Sequence, residues 1–420
     1  MHSEDLVRDA AYLAQSNGQG HLVRHIGELD KTAAERYAGE ILKIDFKELK
    51  KMFDLTAGVS VYKDMDTDHR PAPVTVAEDF SDSEKMSLTD LGMNLIKDGK
   101  VAALTMAGGQ GTRLGFDGPK GSYILGNKLN KSFFEIQAEG LLELSVKSGK
   151  TIPWYIMTGY DNHDATVSFF DSNAFFGYGS ENVAFFSQGA LPVMDQTGRI
   201  LMKDRNSIAY APDGNGGLFR SMASSGILDD MKRKGVKWLF TAIIDNILIK
   251  MADPLFLGFS ERSGSGAASK SVLKVNPEER AGVFALTNDK PTVIEYSEIS
   301  DELKNLTDSA GRLVYADANI VNHYLRIDFI EMIARIGLPY HIAFKPTSYL
   351  DDRGVFVKPD KPNSFKFEMF IFDSFRFSDG MALLRVKREE EFAPVKNKNG
   401  EDSPKTAMDL YFSYKSKEKS

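Results

Sequence analysis

From Glu4 to about Thr56, apolar residues recur at three- and four-residue spacing among charges, which predicts helices. Asp45 stands where it can cap the segment "FKELKKMFDL". Between Ala57 and Ser87 the chain turns polar, with "DMDTDHRPAPV" at its centre, and reads as a connector into a short helix over Leu88–Lys97. The pattern then changes. "VAALTM", "PWYIMT", "NVAFFSQG" and "KWLFTAIIDN" are short apolar runs that suit buried strands. Between them lie helical stretches: one opened by the capping pattern Ser132-Phe133-Phe134-Glu135 and running to Lys147, another over "GLFRSMASSGILDDMKRKG". Such alternation predicts a largely parallel sheet covered by helices on both faces.

From Ala268 the strands crowd together as "SVLKV", "AGVFALT", "PTVIEYSEI" and "RLVYADANIVNHY", with Asn288-Asp289 as a turn. This predicts an antiparallel or mixed extension of the sheet. A helix is expected over Asp328–Gly337, then a strand-rich stretch to Phe392 and a polar, mobile tail. The organisation expected is a helical region with connector over 1–98, a central α/β domain over 99–345, and a strand-rich part over 346–420.

Composition removes several classes. The 420 residues contain no cysteine, which excludes disulfides, a cysteine nucleophile and cysteine-ligated metals. With 52 Lys and Arg against 59 Asp and Glu, the net charge of −7 is interspersed and does not suit a nucleic-acid binder. The opening "MHSEDLVRDAAYLAQ" carries acids early and lacks a long apolar core, so no signal peptide is expected. No run approaches the roughly 20 apolar residues of a membrane span, and the cytoplasm is the expected compartment.

The candidate chemistry lies in "LTMAGGQGTRLGFDGPKG", residues 104–121. A strand leading into a glycine-rich loop presents backbone amides to an anion. No P-loop string is present, and Gly109-Gln110-Gly111-Thr112-Arg113-Leu114 misplaces the third glycine of a dinucleotide fingerprint. Arg113 and Lys120 flank the glycines at phosphate-reaching spacing. Asp245, after the apolar strand in "AIIDN", stands where open α/β sheets place their ligands. His21 and His25 lie four apart on a helix but lack the glutamate of a zinc-protease motif, and read as structural or solvated. The run "REEEF" reads as a solvated strand or turn.

"AGGQGTRLG" followed by "PKG" resembles the signature of the eukaryotic-type UDP-N-acetylhexosamine pyrophosphorylases, in the UDP-sugar pyrophosphorylase group. "SFFEIQAEG", "ENVAFFSQGALP", "APDGNGGLFR", "IIDNILIKMADPLF", "VIEYSEIS", "ANIVNHY", "KPDKPN", "FKFEMFIFD" and "REEEFAPVKN" are similar to family segments in family order. The resemblance implies a Rossmann-like nucleotidyltransferase fold with a central mixed sheet. It implies that UTP and N-acetylglucosamine 1-phosphate give UDP-N-acetylglucosamine and pyrophosphate. By the same resemblance Arg113, Lys120 and Lys366 are catalytic cations on the phosphates. Met106, Ala107, Gly108 and Gly109, with Gln188, Gly214 and Asp245, hold the nucleotide. Asn215, Glu295, Tyr296, Asn319 and Lys396 hold the sugar phosphate, and Asp245 binds Mg2+ or Mn2+. No nucleic-acid or membrane partner is expected.

That reaction needs no general base, because the attacking phosphate, with a second pKa near 6, is already ionised at neutral pH. It needs cations: one unit-charge repulsion at ~4 Å and an effective dielectric near 20 is about 4 kcal/mol. The chain departs from the family's wording at "FDG" and "GSYIL" in the loop, and at Asp317-Ala318 in "YADANI", and the family's further C-terminal strand-rich segment is short or missing. The rival readings are another UDP-sugar (N-acetylgalactosamine or a hexose), a catalytically silent UDP-sugar sensor, and a dinucleotide oxidoreductase. The retained cations oppose the second, and the misplaced glycine opposes the third.

Overall fold

The computed structural model describes residues 3–56 and 68–418, and the chain forms two compact units. The smaller comprises Met1–Asp66, Gly189–Gly217 and Pro339–Phe370; the larger comprises Thr67–Gln188, Leu218–Leu338 and Ile371–Ser420. These bounds cut across the three contiguous segments expected from the sequence, because the chain leaves the larger unit at 189–217 and again at 339–370.

In the smaller unit, helices α1 (Ser3–Ser16), α2 (Lys31–Leu42) and α3 (Phe46–Thr56) follow the expected periodicity. Asp45 caps the third, accepting from the Glu48 N–H at 2.9 Å. Their apolar faces carry Tyr37, Ile41, Leu49 and Met52 onto Met194, Ile200 and Phe367. Strands His341–Lys345 and Ser364–Glu368 pair antiparallel, with Met194–Asp195 along the other edge. His21 is structural, its Nε2 2.8 Å from the Ile200 carbonyl, and His25 pairs with Glu28. Part of the expected connector, 57–67, lies outside the described residues.

The main sheet of the larger unit has eleven strands among the described residues: β1 (His69–Pro71), β2 (Thr75–Val76), β3 (Val101–Ala107), β4 (Trp154–Thr158), β5 (Val183–Ser187), β6 (Trp238–Ile243), β7 (Ala267–Leu273), β8 (Val283–Thr287), β9 (Lys290–Ile294), β10 (Asp317–Arg326) and β11 (Met381–Arg385). The main order is β2-β11-β7-β10-β6-β3-β4-β5, with β10 antiparallel to both neighbours and the other neighbouring pairs parallel. Every residue of β3 is buried, so it reads as an apolar run without alternation. Successive strand residues face opposite ways. Trp154 accordingly meets the Phe170 ring on one face, while the Tyr155 hydroxyl donates to Asp230 on the other. Helices therefore cover both faces. The consequence is that the carboxyl ends of β3, β4, β5 and β6 share one edge, where β10 begins.

Four local expectations are corrected. The helix before β3 is α4, Asp82–Lys97, starting earlier because Ser81 and Glu84 form a reciprocal capping box. "GLFRSMASSGILDDMKRKG" is two helices, Leu218–Ser224 and Ile227–Arg233, broken at Gly226 with φ 78°. "REEEF" is not a solvated face. Arg388–Glu391 is a helical turn, and Glu391, 3% exposed, pairs with the fully buried Lys270 at 2.9 Å. Buried charges persist only when paired in this way. The tail, finally, contains a helix over Pro404–Glu418.

Candidate active site

The glycine loop leaves the carboxyl end of β3 and folds back on itself. Gly111 N–H donates to the Gly118 carbonyl at 2.9 Å, and Lys120 N–H donates to the Gly109 carbonyl at 3.0 Å. This closure sends the Lys120 side chain to Asp245, with Nζ 2.8 Å from Oδ2. Both side chains are largely shielded, at 15% and 13% exposure. Gly121 lies against the Phe134 ring, and a Cβ there would overlap it. The helix opened by Ser132 (Phe133–Ser148) therefore carries the ring that seats Lys120. Arg113 is exposed on the turn Thr112–Leu114 and makes no ion pair among the described residues. Lys398, which sequence reasoning missed, lies over Gly115: a Cβ added there would sit 3.3 Å from its Nζ.

Asp245 follows β6 and is held by its backbone. Ile244 N–H donates to the Met106 carbonyl, and the Asp245 carbonyl accepts from Val395 at 2.9 Å. Asn246 stitches the same place from its side chain, donating to the Glu391 carbonyl and accepting from Ala393 N–H. The C-terminal segment is thereby pinned beside Asp245, and Lys396 follows directly, its ammonium 3.3 Å from Asp402. Gln188 closes the other side of the loop, with Oε1 2.7 Å from where a Gly108 Cβ would stand. Met106, Ala107, Gly108, Gly109, Lys120, Gln188, Asp245 and Lys396 are thus brought to one edge of the larger unit's sheet.

Glu295 and Asn319 meet at Gly282 on that edge. Asn319 N–H donates to the Gly282 carbonyl at 2.8 Å, and Glu295 Oε1 is 2.8 Å from the position of a Gly282 Cβ. Tyr296 is 48% exposed beside them. The unusual Asp317 is fully engaged by the Arg385 guanidinium, with Nε at 2.8 Å, and by the Ser271 hydroxyl at 2.8 Å. Its negative charge is compensated within the sheet. Gly214, Asn215 and Lys366 belong to the smaller unit. There Gly214 has φ 83°, and burial, with Lys345 nearby, lowers the Lys366 ammonium below its ordinary range.

At this edge Asp245 offers a carboxylate oxygen to a cation. Asp245 Oδ1 is buried with no hydrogen-bond partner, and among the described residues no cluster of three or more His, Asp or Glu is suited to hold a metal. This donor set fits Mg2+, which takes one or two carboxylates and completes its shell with phosphates and water. A glycine-looped strand end, a shielded Lys–Asp pair and further basic residues on a mixed α/β sheet define a nucleotide-handling transferase.

The comparisons with known proteins narrow that class. The family model described as UTP–glucose-1-phosphate uridylyltransferase matches residues 56–411, and the chain belongs to this family. It is 42% identical over 363 residues to the UDP-N-acetylglucosamine pyrophosphorylase of Saccharomyces cerevisiae, covering 83% of this chain and 76% of that one. It is 36% identical over 419 residues to the UDP-N-acetylhexosamine pyrophosphorylase-like protein 1 of Homo sapiens, covering 95% and 83%. The crystal structure of the uridine diphosphate N-acetylglucosamine pyrophosphorylase of Trypanosoma brucei, solved with an inhibitor, superposes with TM-score 0.82 at 28% identity, covering 98% and 85%.

Proposed function

We propose that this chain transfers a uridylyl group from UTP to N-acetylglucosamine 1-phosphate, forming UDP-N-acetylglucosamine and releasing pyrophosphate. The observation that carries the reading is the glycine loop whose closure places the Lys120 ammonium on Asp245 at the strand edge. A phosphate oxygen of the sugar phosphate attacks the α-phosphorus of UTP in line, and the bond to the β-phosphate breaks. The attacking oxygen is already ionised, so no side chain need remove a proton. Lys120 and Arg113 offset the charge gathering on the departing pyrophosphate, and Lys396 neutralises the sugar phosphate. Mg2+, when bound at Asp245, supplies further neutralisation between phosphate oxygens. Glu295, Tyr296 and Asn319 face the sugar, while Gln188 pairs with the uracil edge through its amide. Gly214, Asn215 and Lys366 enter this reading by sequence motif alone.

The compartment we assign is the cytoplasm, supported by the cysteine-free composition. Among the described residues no helix is long and apolar enough to cross a membrane. Pyrophosphate release is the direct test, measured with UTP and a panel of N-acetylglucosamine, N-acetylgalactosamine and glucose 1-phosphates, with and without Mg2+. Preferred use of N-acetylglucosamine 1-phosphate with a Mg2+ requirement is expected. Exclusive use of glucose 1-phosphate would defeat the sugar assignment, and release from none would defeat the enzyme.

A further inference from the structure

Asn162 lies in "MTGYDNHDATVSFF", immediately before the helix His163–Ser172, where an asparagine ordinarily caps the helix with its side-chain oxygen. Here it makes no such cap. Its side chain, 1% exposed, turns to the glycine loop instead. Oδ1 accepts from the Gly159 N–H at 2.7 Å. Nδ2 donates to the Ala107 carbonyl at 3.1 Å and to the Gly109 carbonyl at 3.3 Å.

The Gly109 carbonyl is also the acceptor for Lys120 N–H, so its two lone pairs are shared between Asn162 and the lysine's own backbone. Meanwhile the N–H groups of Gly108 and Gly109 have no hydrogen-bond partner among the described residues. A loop meant for an anion requires this division: carbonyl oxygens held away by donors, amide hydrogens left for the ligand. Only a neutral amide can accept once and donate twice at this spot. An aspartate of the same shape would face two carbonyl oxygens with a negative charge.

We infer that Asn162 is a positioning residue for UTP: it fixes the carbonyls of Ala107 and Gly109, and through Gly109 the backbone of Lys120. The inference rests on the uridylyltransferase reading above, and it adds a residue that touches no substrate. Asn162→Asp keeps the volume and removes both donors. Equilibrium UTP binding, measured calorimetrically without sugar phosphate, should weaken at least tenfold. In steady state the KM for UTP should rise by a similar factor, with the KM for N-acetylglucosamine 1-phosphate changed less than twofold. Asn162→Thr, which retains one donor, should fall between Asp and wild type, and it serves if Asn162→Asp does not fold. Wild-type UTP binding in both variants, or equal effects on both substrates' KM values, would overturn the inference alone. Failure of the wild-type protein to bind UTP would overturn the nucleotide reading and the inference with it.

Discussion

Replacing Lys120 with alanine removes the one cation that the loop's own closure delivers to the strand edge. In the free protein its charge is matched by Asp245 at 2.8 Å, and both side chains are shielded from water. During transfer the ammonium would face the phosphate that departs. A unit charge ~4 Å away at an effective dielectric near 20 is worth about 4 kcal/mol. At about 1.4 kcal/mol per decade, full loss in the transition state corresponds to roughly three decades of kcat/KM. The lysine must give up part of its contact with Asp245 to act, so a loss of about 100- to 1000-fold is expected. Alanine also leaves Asp245 without a partner on either oxygen, which should cost about 1–3 kcal/mol of stability. Both numbers are accessible: pyrophosphate release under kcat/KM conditions, and denaturant unfolding of the same sample. Lys120→Arg separates charge from shape, since the broader guanidinium keeps the charge but not the point contact. A folded Lys120→Ala enzyme within threefold of wild-type kcat/KM would refute the phosphate role of this lysine.

Asp245→Asn should raise the Mg2+ concentration for half-maximal rate at least tenfold, read from a titration at fixed UTP; an unchanged midpoint would remove Asp245 from the proposed metal site. Gly121→Ala should push the loop off the Phe134 ring, costing about 1–3 kcal/mol of stability by overpacking and lowering activity. Gly121→Ala with Phe134→Leu should recover part of the activity, which a purely conformational effect at Gly121 would not allow. His323 is fully buried, and burial pushes its imidazole from 6.5 down to about 3. Its folded pKa lies below the unfolded one, so the unfolded chain binds more protons between these values. Its share of the stability is present above pH 6.5 and is lost as pH falls towards 3, at about 1.4 kcal/mol per pH unit where only the unfolded form is protonated. Denaturant midpoints from pH 7 to 4.5 should show this slope, and His323→Asn should remove roughly one proton from it.

The sheet was readable because its strands announce themselves locally. β3 is apolar throughout as a strand covered on both faces must be, and Ser132 opens its helix with the expected bond to Glu135 N–H. What escaped local reading was whatever depends on distant partners. The acidic run at 388–391 has the composition of a surface, but Lys270, 121 residues earlier, takes Glu391 into the interior. The break at Gly226 was missed for a different reason. The apolar spacing continues across it, and only the left-handed backbone shows that one helix has become two.

The site divides along the same line. Glycines, Arg113 and Lys120 stand out as candidates in eighteen consecutive residues because a glycine loop is a local device, and Asp245 does so because a strand's carboxyl end is a local position. Asn162 could not be picked out, and Asp317, visible as a departure from family wording, could not be interpreted, since the meaning of each is set by what it faces. Asparagine before a helix signals a cap, and only the tertiary contact to the Ala107 and Gly109 carbonyls reassigns its amide. Asp317 in "YADANI" looks like a new negative charge on the strand that also carries Asn319. Arg385, 68 residues later, binds it through Nε at 2.8 Å and through Nη2 at 2.5 Å, with Ser271 adding a third contact. A carboxylate so compensated presents little free charge to a sugar. Asp317 therefore acts within the sheet beneath Asn319, one of the residues proposed for the sugar. Removing only Arg385 would expose that charge, so Arg385→Ala should harm sugar-phosphate binding more than the paired change Arg385→Ala with Asp317→Ala; equal harm from both would mean the pair serves the fold alone.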